Sequence, residues 1–109
     1  MTSPSIFGPP LWFNLHIMAI NYAITPSIDE QEQMYLFLSN LPAIIPCKKC
    51  KTNLSIFLFH NRAKMRQHVA SRNALFEFIL QMHNNVNSRL NKPQWSLIKA
   101  IEHYKKYKN

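Results

Sequence analysis

The hydrophobic pattern of the chain is divided by prolines and helix-capping residues into segments of helical length. No segment alternates apolar and polar residues for long, so strands are not predicted. The first helix is predicted over residues 9–23, beginning at a proline and ending ahead of Pro26. Ser27, followed three residues later by Glu30, is a capping box that predicts a second helix continuing to about Asn40.

Three further helices are predicted in the rest of the chain. Pro46 is a favourable first helical residue and begins a third helix that ends at about Phe59. After a basic connection, a fourth helix runs from the cap Ser71 to about residue 91, and Ser96 caps a short fifth helix through residue 107. Residues 1–109 are therefore predicted to form a single all-α domain, a four-helix bundle with a short fifth C-terminal helix laid across it.

The first predicted helix is apolar on nearly every side. Because a surface helix buries a single apolar stripe, we expect this one to be covered twice. The core or a cofactor would cover one side and a second subunit the other, in a twofold homodimer with a self-complementary patch. We expect that patch on the outer faces of the first two helices, at Phe13, Ile17, Ile20, Met34, Phe37 and Leu38.

The balance of charged residues indicates which kinds of partner the chain could bind. Thirteen Lys and Arg against five Asp and Glu give a formal net charge of +8. That balance favours an anionic partner: nucleic acid, an acidic protein, a membrane surface or a phosphate-bearing cofactor. Gly8 is the only glycine, which excludes the glycine-rich phosphate loops of Rossmann and P-loop proteins. Neither a membrane-length apolar run nor a secretory signal is found, so we expect a cytoplasmic, unsecreted protein that does not span a membrane.

Cys47 and Cys50 are the only cysteines and form a CxxC pair flanked by lysines at 48, 49 and 51. One helical turn separates the two sulfurs, so they are close enough to form a disulfide. Thiol exchange proceeds through the thiolate, which is favoured at a helix N-terminus and beside cations. With Pro46 opening the helix and Cys47 in its first turn, the pattern indicates a redox pair.

Two alternatives for the cysteines compete with redox chemistry. Structural zinc needs four ligands, but there is no second CxxC, and His60 and His68 do not have the spacing of a zinc-finger pair. We therefore predict no metal site. Two inert buried cysteines are the other alternative, but the neighbouring lysines suit deep burial poorly.

A second constellation lies on the fourth helix. His83 and Asn87 are one turn apart within an apolar stripe, where they are costly unless hydrogen bonded. They form either a satisfied core pair or part of a ligand site. The first helix also places His16 among aromatic and small residues, with Trp12 and Tyr22 on the same side. If these two faces meet inside the bundle, they would line a slot for a flat ring with polar edges. Lys92 and Arg89 would lie at the mouth of this slot, where they could meet a pyrophosphate group of the ligand.

Three motifs of the chain resemble the Erv/ALR family of sulfhydryl oxidases. The first is Gly8-Pro9 with Trp12, Leu15-His16, Ala19 and Tyr22, and the second is Pro46-Cys47-Lys48-Lys49-Cys50. The third is His83-Asn84-Asn85-Val86-Asn87, followed by Leu90, Lys92 and Pro93. They occur in family order over almost the whole chain, and the chain is most similar to the compact members of large DNA viruses. The chain departs from the family pattern at Phe7 and Asn53, and no cysteine follows Pro93.

The resemblance implies FAD held noncovalently inside the helical bundle, a homodimer, and oxidation of dithiols by molecular oxygen with production of hydrogen peroxide. It implies that Cys47 and Cys50 are the catalytic pair. The residues it assigns to FAD binding are Gly8, Trp12, His16, Tyr22, His83, Asn84, Val86, Asn87, Leu90 and Lys92.

Our mechanistic hypothesis is that a substrate thiolate attacks Cys47 and that electrons leave the reduced pair from Cys50 towards FAD. Because the chain has no further cysteines, we expect a separate dithiol protein as substrate, such as a thioredoxin-like or other CxxC carrier. We expect it in a virus-infected cell or a virion. The rival hypothesis is a basic helical module that binds nucleic acid, supported by Trp95 and the C-terminal lysines. We keep it as the alternative but favour the oxidase, and expect no nucleic-acid partner, because a His83–Asn87 pair on an apolar face serves no obvious purpose there.

Overall fold

The computed structural model describes residues 2–109, and the regular structure within this range is entirely helical, as predicted. The helices are α1 (Pro4–Ile20), α2 (Ile28–Asn40), α3 (Lys48–Asn61), α4 (Met65–His68), α5 (Arg72–Arg89) and α6 (Leu97–Tyr104). Short 3₁₀ turns occur at Leu41–Ile44, Arg62–Lys64 and Lys105–Tyr107. The bundle consists of α1, α2, α3 and α5, and α6 is the predicted short C-terminal helix. The basic connection contains the single helical turn α4, which was not predicted.

Helix α1 begins five residues earlier than predicted and ends at Ile20 rather than near residue 23. Ser3 caps it by accepting a hydrogen bond from the Ser5 N–H, and Pro4 takes the first helical position. Pro9 and Pro10 therefore lie inside the helix, where each removes one backbone donor. Both prolines and the residues four positions before them are exposed, so water can satisfy the carbonyls left without a partner.

The serine caps of the other helices lie where the sequence predicts them. Ser27 and Glu30 form the reciprocal capping box, with bonds of 3.1 and 2.9 Å. Ser71 and Ser96 each accept a backbone N–H three residues later, at 3.1 Å. Helix α5 ends at Arg89, two residues short of the predicted end, because Asn91 adopts a left-handed conformation with φ of 58°.

The predicted start of the third helix at Pro46 is wrong. Cys47 has extended backbone angles (φ −132°, ψ 120°) and is the N-cap, so α3 begins at Lys48. It continues to Asn61, two residues beyond the predicted end. Pro46 therefore precedes the helix, and Cys47 lies at its N-terminus rather than within its first turn.

Helix α1 packs most extensively against α5, and α6 lies against both. Leu15 and Ala19 of α1, with Leu75 and Ile79 of α5, are at most 2% exposed in the core that this pairing encloses. Packing of α6 against α1 and α5 adds a third wall where these two helices meet. None of the described helices is long and apolar enough to span a membrane.

The apolar patch predicted for the dimer is only partly available at the surface. Ile20 and Leu38 are 7% and 0% exposed within the chain's own core, so their assignment to an interface is wrong. Phe13 and Phe37 are each 37% exposed. Phe13 also packs edge-on against Tyr107, with ring centroids 5.2 Å apart, and so belongs partly to the contact between α1 and the C-terminal segment.

Candidate active site

A cavity of about 520 Å³ lies between α1, α5, α6 and the first turn of α3. This volume falls in the range of small-molecule and cofactor sites. The predicted site residues that line it are Gly8, Trp12, Cys50, His83, Val86, Asn87, Leu90 and Lys92. The structure thus brings together most of the predicted set, which comes from three separate parts of the chain.

Two stacked pairs of flat rings, together called the ring stack, lie along one side of the cavity. Trp12 and His83 are nearly parallel, with centroids 4.5 Å apart and an interplanar angle of 7°. His16 lies directly behind them, 5.3 Å from His83, and stacks on Tyr104 at 4.5 Å and 3°. These contacts join α1, α5 and α6 through side chains that have apolar faces and polar edges.

His16 carries a buried nitrogen without a partner. The residue is 1% exposed, and its Nδ1 lies 2.8 Å from the Trp12 carbonyl oxygen. Because a carbonyl only accepts, Nδ1 carries the proton and donates, which leaves Nε2 as an acceptor. Nε2 is buried and makes no hydrogen bond with the described residues. A buried nitrogen of this kind, next to rings that line a cavity, is a position that a polar ligand can satisfy.

Both histidines of this stack are neutral at pH 7. Burial, together with smaller contributions from the neighbouring His16 and Lys92, lowers the pKa of His83 to about 4. Burial also lowers the pKa of His16, more than the hydrogen bond to Trp12 raises it. The ring stack therefore adds no positive charge of its own to the cavity.

Gly8 and Asn87 leave room and hydrogen-bonding capacity in the cavity wall. Gly8 is buried, yet a Cβ added to it would meet nothing within 4 Å, so packing within the chain does not require a glycine there. Asn87 is 6% exposed and lines the cavity, and its side-chain amide makes no hydrogen bond with the described residues. Space beside Gly8 and a free amide at Asn87 are what a bound ligand would use.

Basic side chains lie at the edge of the cavity. Lys92 and Lys99 both line it, and the Lys99 Nζ lies 4.6 Å from the centroid of the Trp95 ring. Arg89, which was predicted at this edge, does not line the cavity and contacts Asn85 instead. The lysines provide the positive charge that phosphate groups require.

Three residues assigned to cofactor binding do not line the cavity. His16 lies behind the lining rings, as described above. Tyr22 lies two residues beyond the end of α1, and its hydroxyl donates to the Val69 carbonyl at 2.7 Å. Asn84 is on α5, but both ends of its side-chain amide bond to the backbone of Trp95. Direct cofactor contact by Tyr22 or Asn84 is therefore unsupported by this geometry, and both side chains have structural partners instead.

The two cysteines are joined in a disulfide, with their Cα atoms 5.2 Å apart. Cys50 lines the cavity, whereas Cys47 does not and is 8% exposed. The Cys47 Sγ accepts the backbone N–H of Cys50 at 3.3 Å, as an N-cap side chain does. When the disulfide opens, this hydrogen bond and the helix N-terminus favour a thiolate at Cys47.

Helix α6 and the turn that precedes it supply lining residues that were not assigned to the site from the sequence. Trp95, Lys99, His103 and Tyr104 all line the cavity. The spacing of four between Lys99 and His103 is a helical signal that was available in the sequence. The helix surface that carries Lys99 and His103 is placed against the cavity by the turn at residues 90–95, and the conformation of that turn cannot be predicted from periodicity. Apolar lining residues outside the motifs were also missed: Pro4, Phe7, Leu11, Phe13, Leu41, Ile45 and Leu54.

A helical bundle with a CxxC disulfide beside an aromatic, basic-edged cavity defines a class of redox proteins that hold a planar cofactor. The model of the Erv1 / Alr family matches residues 9–107, and the chain belongs to this family.

Individual relatives agree with this assignment. The chain is 34% identical over 102 residues to the 096R protein of invertebrate iridescent virus 3, covering 94% of this chain and 68% of that one. It is 32% identical to an FAD-linked sulfhydryl oxidase of African swine fever virus, covering 87% and 78%. A mitochondrial FAD-linked sulfhydryl oxidase of Schizosaccharomyces pombe is 38% identical over 86 residues, which is 79% of this chain and 46% of that protein.

Solved structures give the same result. The crystal structure of the FAD binding domain of Erv1 from Saccharomyces cerevisiae superposes with a TM-score of 0.87 at 25% identity, covering all of both chains. The yeast Erv1 core superposes with a TM-score of 0.85 at 26% identity, covering 96% of this chain and 86% of that one.

Proposed function

We propose that this chain is an FAD-dependent thiol oxidase that forms disulfide bonds in protein substrates through Cys47 and Cys50. The observation that carries the proposal is the position of Cys50, which lines the same cavity as the stacked Trp12 and His83. A reactive disulfide next to a cavity suited to a flat, anionic cofactor is the arrangement that thiol oxidation needs. Relatives from viruses and fission yeast are FAD-linked sulfhydryl oxidases by name.

The residues present fit FAD. The ring stack offers flat apolar surface, Lys92 and Lys99 offer charge for a pyrophosphate, and Asn87 offers an unbonded amide. The unpartnered Nε2 of His16 lies immediately behind the lining rings. We propose that the cofactor is held by the lining residues Gly8, Trp12, His83, Val86, Asn87, Leu90 and Lys92. Four residues from the C-terminal part of the chain complete the site: Trp95, Lys99, His103 and Tyr104.

The thiol chemistry belongs to the cysteine pair. A substrate thiolate attacks the Cys47 Sγ, which breaks the disulfide and releases Cys50 as a thiolate. The second substrate thiolate then attacks the substrate sulfur of the mixed disulfide, which releases Cys47 and completes the substrate disulfide. When bound, FAD would supply the acceptor for the electron pair of the reduced cysteines, and molecular oxygen would take up that pair with two protons to give hydrogen peroxide. Throughout, the chain supplies proximity and orientation at Cys50, which lines the cavity.

An absorption spectrum tests this function directly. The purified protein should be yellow and carry about one FAD per chain, released on denaturation. Replacing His83 or Asn87 with Ala should lower the bound FAD fraction, because each removes a lining contact. Asn85→Ala is the matched control, since Asn85 is on the same helix but does not line the cavity. Full flavin absorbance in both lining variants would show that the cofactor binds elsewhere.

We further propose that the immediate substrate is a small dithiol protein with acidic residues around its own CxxC. Lys48, Lys49 and Lys51 are exposed beside the disulfide, and attraction to them would raise the encounter rate at low salt. Because Cys47 is 8% exposed, access also limits exchange, which favours a mobile thioredoxin-like or similar carrier over a client with buried cysteines. Oxygen uptake with a reduced CxxC carrier should exceed that with a reduced unfolded client and should fall with added salt. Equal turnover on the carrier and on the unfolded client, with no dependence on salt, would show that no dedicated carrier is needed.

The remaining proposals concern assembly and location. The half-exposed apolar residues of α1 and α2, including Phe13 and Phe37, support a twofold homodimer. Light scattering that gives a monomer at micromolar concentration would contradict it. The similarity to viral proteins supports action in the cytoplasm of an infected cell or in a virion, which immunogold labelling of infected cells would test.

A further inference from the structure

The C-terminal segment 95–109, here called the strap, forms one wall of the cavity and buries few of its side chains in the core. It contributes four lining residues: Trp95, Lys99, His103 and Tyr104. Only Ala100 and Tyr104 of the strap are buried, at 0% and 6% exposure, while Ile98 is 77% exposed. A segment with so few buried side chains needs other contacts to hold it in one position.

The beginning of the strap is fastened to α5 by Asn84. Its Oδ1 accepts the Trp95 N–H at 2.9 Å, and its Nδ2 donates to the Trp95 carbonyl at 2.8 Å. Both hydrogen-bonding groups of one backbone residue are therefore matched by one side-chain amide. This pairing fixes the position of Trp95 and with it the start of the wall.

The end of the strap is fastened to α1 in a similar way by Asn21. Its Nδ2 donates to the Tyr107 carbonyl at 3.1 Å, and its Oδ1 accepts the Asn109 N–H at 2.7 Å. The same Nδ2 also bonds the Ile17 carbonyl at 3.0 Å, which orients the amide from within α1. Two asparagine amides thus hold the two ends of the strap, and neither asparagine lines the cavity.

We propose that Asn84 and Asn21 are positioning residues that hold the strap closed over the cofactor and so set the rate at which the cofactor leaves. The inference rests on the proposed function for the identity of the cofactor. A ligand enclosed by α1, α5 and the strap can leave when one of these walls moves. The strap packs on α1 and α5 through Ala100 and Tyr104 in its middle, but its two ends are attached by side-chain hydrogen bonds that a substitution can remove. Loss of either amide therefore frees one end of the wall without altering a lining side chain.

The first test measures release of FAD after dilution into buffer, followed by flavin fluorescence. Asn84→Ala and Asn21→Ala should each release FAD roughly tenfold faster than the unchanged protein, the equivalent of two neutral hydrogen bonds. Asn85→Ala should release it at the unchanged rate, because Asn85 makes no bond to the strap. Asn84→Asp and Asn21→Asp retain the acceptor and lose the donor, so they should give intermediate rates and serve if an alanine variant fails to fold. Release at the control rate in the folded variants of both positions would overturn the proposal.

The second test reports the strap itself and does not depend on the cofactor. Limited trypsin digestion should cut after the strap lysines, such as Lys99 and Lys105, several-fold faster in the Asn84 and Asn21 variants than in Asn85→Ala. If the protein never binds FAD, the proposed function fails. Faster cleavage of the strap in the variants would still support the roles of Asn84 and Asn21 in holding its two ends. Unchanged cleavage in the folded variants of both positions would overturn them whatever the cofactor result.

Discussion

Replacing Tyr22 with Phe should destabilise the fold and leave cofactor binding unchanged. The Tyr22 hydroxyl is the donor of a 2.7 Å bond to the carbonyl of Val69, in a region where Tyr22 is 8% exposed and Val69 is 0% exposed. The substitution removes one oxygen and leaves this buried carbonyl without that donor. An unsatisfied buried group costs about 1–3 kcal/mol. In a domain of about this length, each kcal/mol lowers Tm by roughly 4–8 °C.

Thermal unfolding of the flavin-free protein measures the first half of this prediction, because bound FAD would itself raise Tm. A flavin titration followed by fluorescence measures the second half. Tyr35→Phe is the matched control. The Tyr35 ring packs under the Arg66 guanidinium, at 3.7 Å, and its hydroxyl makes no hydrogen bond with the described residues. We expect that control to change neither Tm nor the affinity for FAD.

The opposite pair of results would refute the reasoning. If Tyr22→Phe kept the Tm of the control while losing FAD affinity, Tyr22 would be a cofactor contact, as its place in the motif implies. If it lost both, the site would depend on the contact between Tyr22 and Val69, which joins the end of α1 to the segment before α5. The outcome therefore separates a structural tyrosine from a binding one.

Two further predictions concern the cysteines and the histidines. Cys47→Ser and Cys50→Ser should both abolish dithiol oxidation and retain flavin, and Cys47→Ser should leave a Cys50 thiolate facing the cavity, seen as long-wavelength absorbance of the FAD-loaded protein at raised pH. That band in Cys50→Ser instead would reverse the two roles. Because burial lowers the folded-state pKa of His83 to about 4 and also lowers that of His16, the unfolded chain binds protons first as the pH falls. Urea unfolding should therefore show stability falling between about pH 6.5 and about pH 4, less steeply in His83→Gln, and a flat profile would contradict the buried neutral rings.

The helices could be predicted largely because their start signals are local. A serine at the N-cap bonds a backbone N–H three residues away, so Ser27, Ser71 and Ser96 are recognisable without knowledge of the tertiary structure. The beginning of α1 was misplaced because Pro9 resembles a first helical residue. Its tolerance inside the helix depends on exposure to water, which is a property of the folded chain.

The candidate site could be predicted where its residues lie on regular helices. Trp12 and His83 lie on the predicted inner faces of α1 and α5, and their rings meet. Tyr22 was grouped with them by helical periodicity, but α1 ends at Ile20, so the period no longer sets its direction. The contribution of α6 depends on a turn with Asn91 in the left-handed region, and no periodic pattern encodes that geometry.

Position relative to the cavity, rather than thiol acidity, distinguishes the two cysteines. Because Cys50 lines the cavity, a cofactor bound there would cover its sulfur from incoming thiolates. Cys47 lies outside that lining, beside the exposed Lys48 and Lys49, so we expect substrate attack at Cys47. Its 8% exposure means that a small local opening must accompany each exchange. Once the disulfide is open, the hydrogen bond from the Cys50 N–H stabilises the Cys47 thiolate. A more stable thiolate is a better leaving group, so thiol acidity alone would direct the substrate to attack Cys50 and release Cys47. With a cofactor covering Cys50, access to Cys47 therefore has to outweigh acidity, and we infer the order of the two roles from the shape of the site.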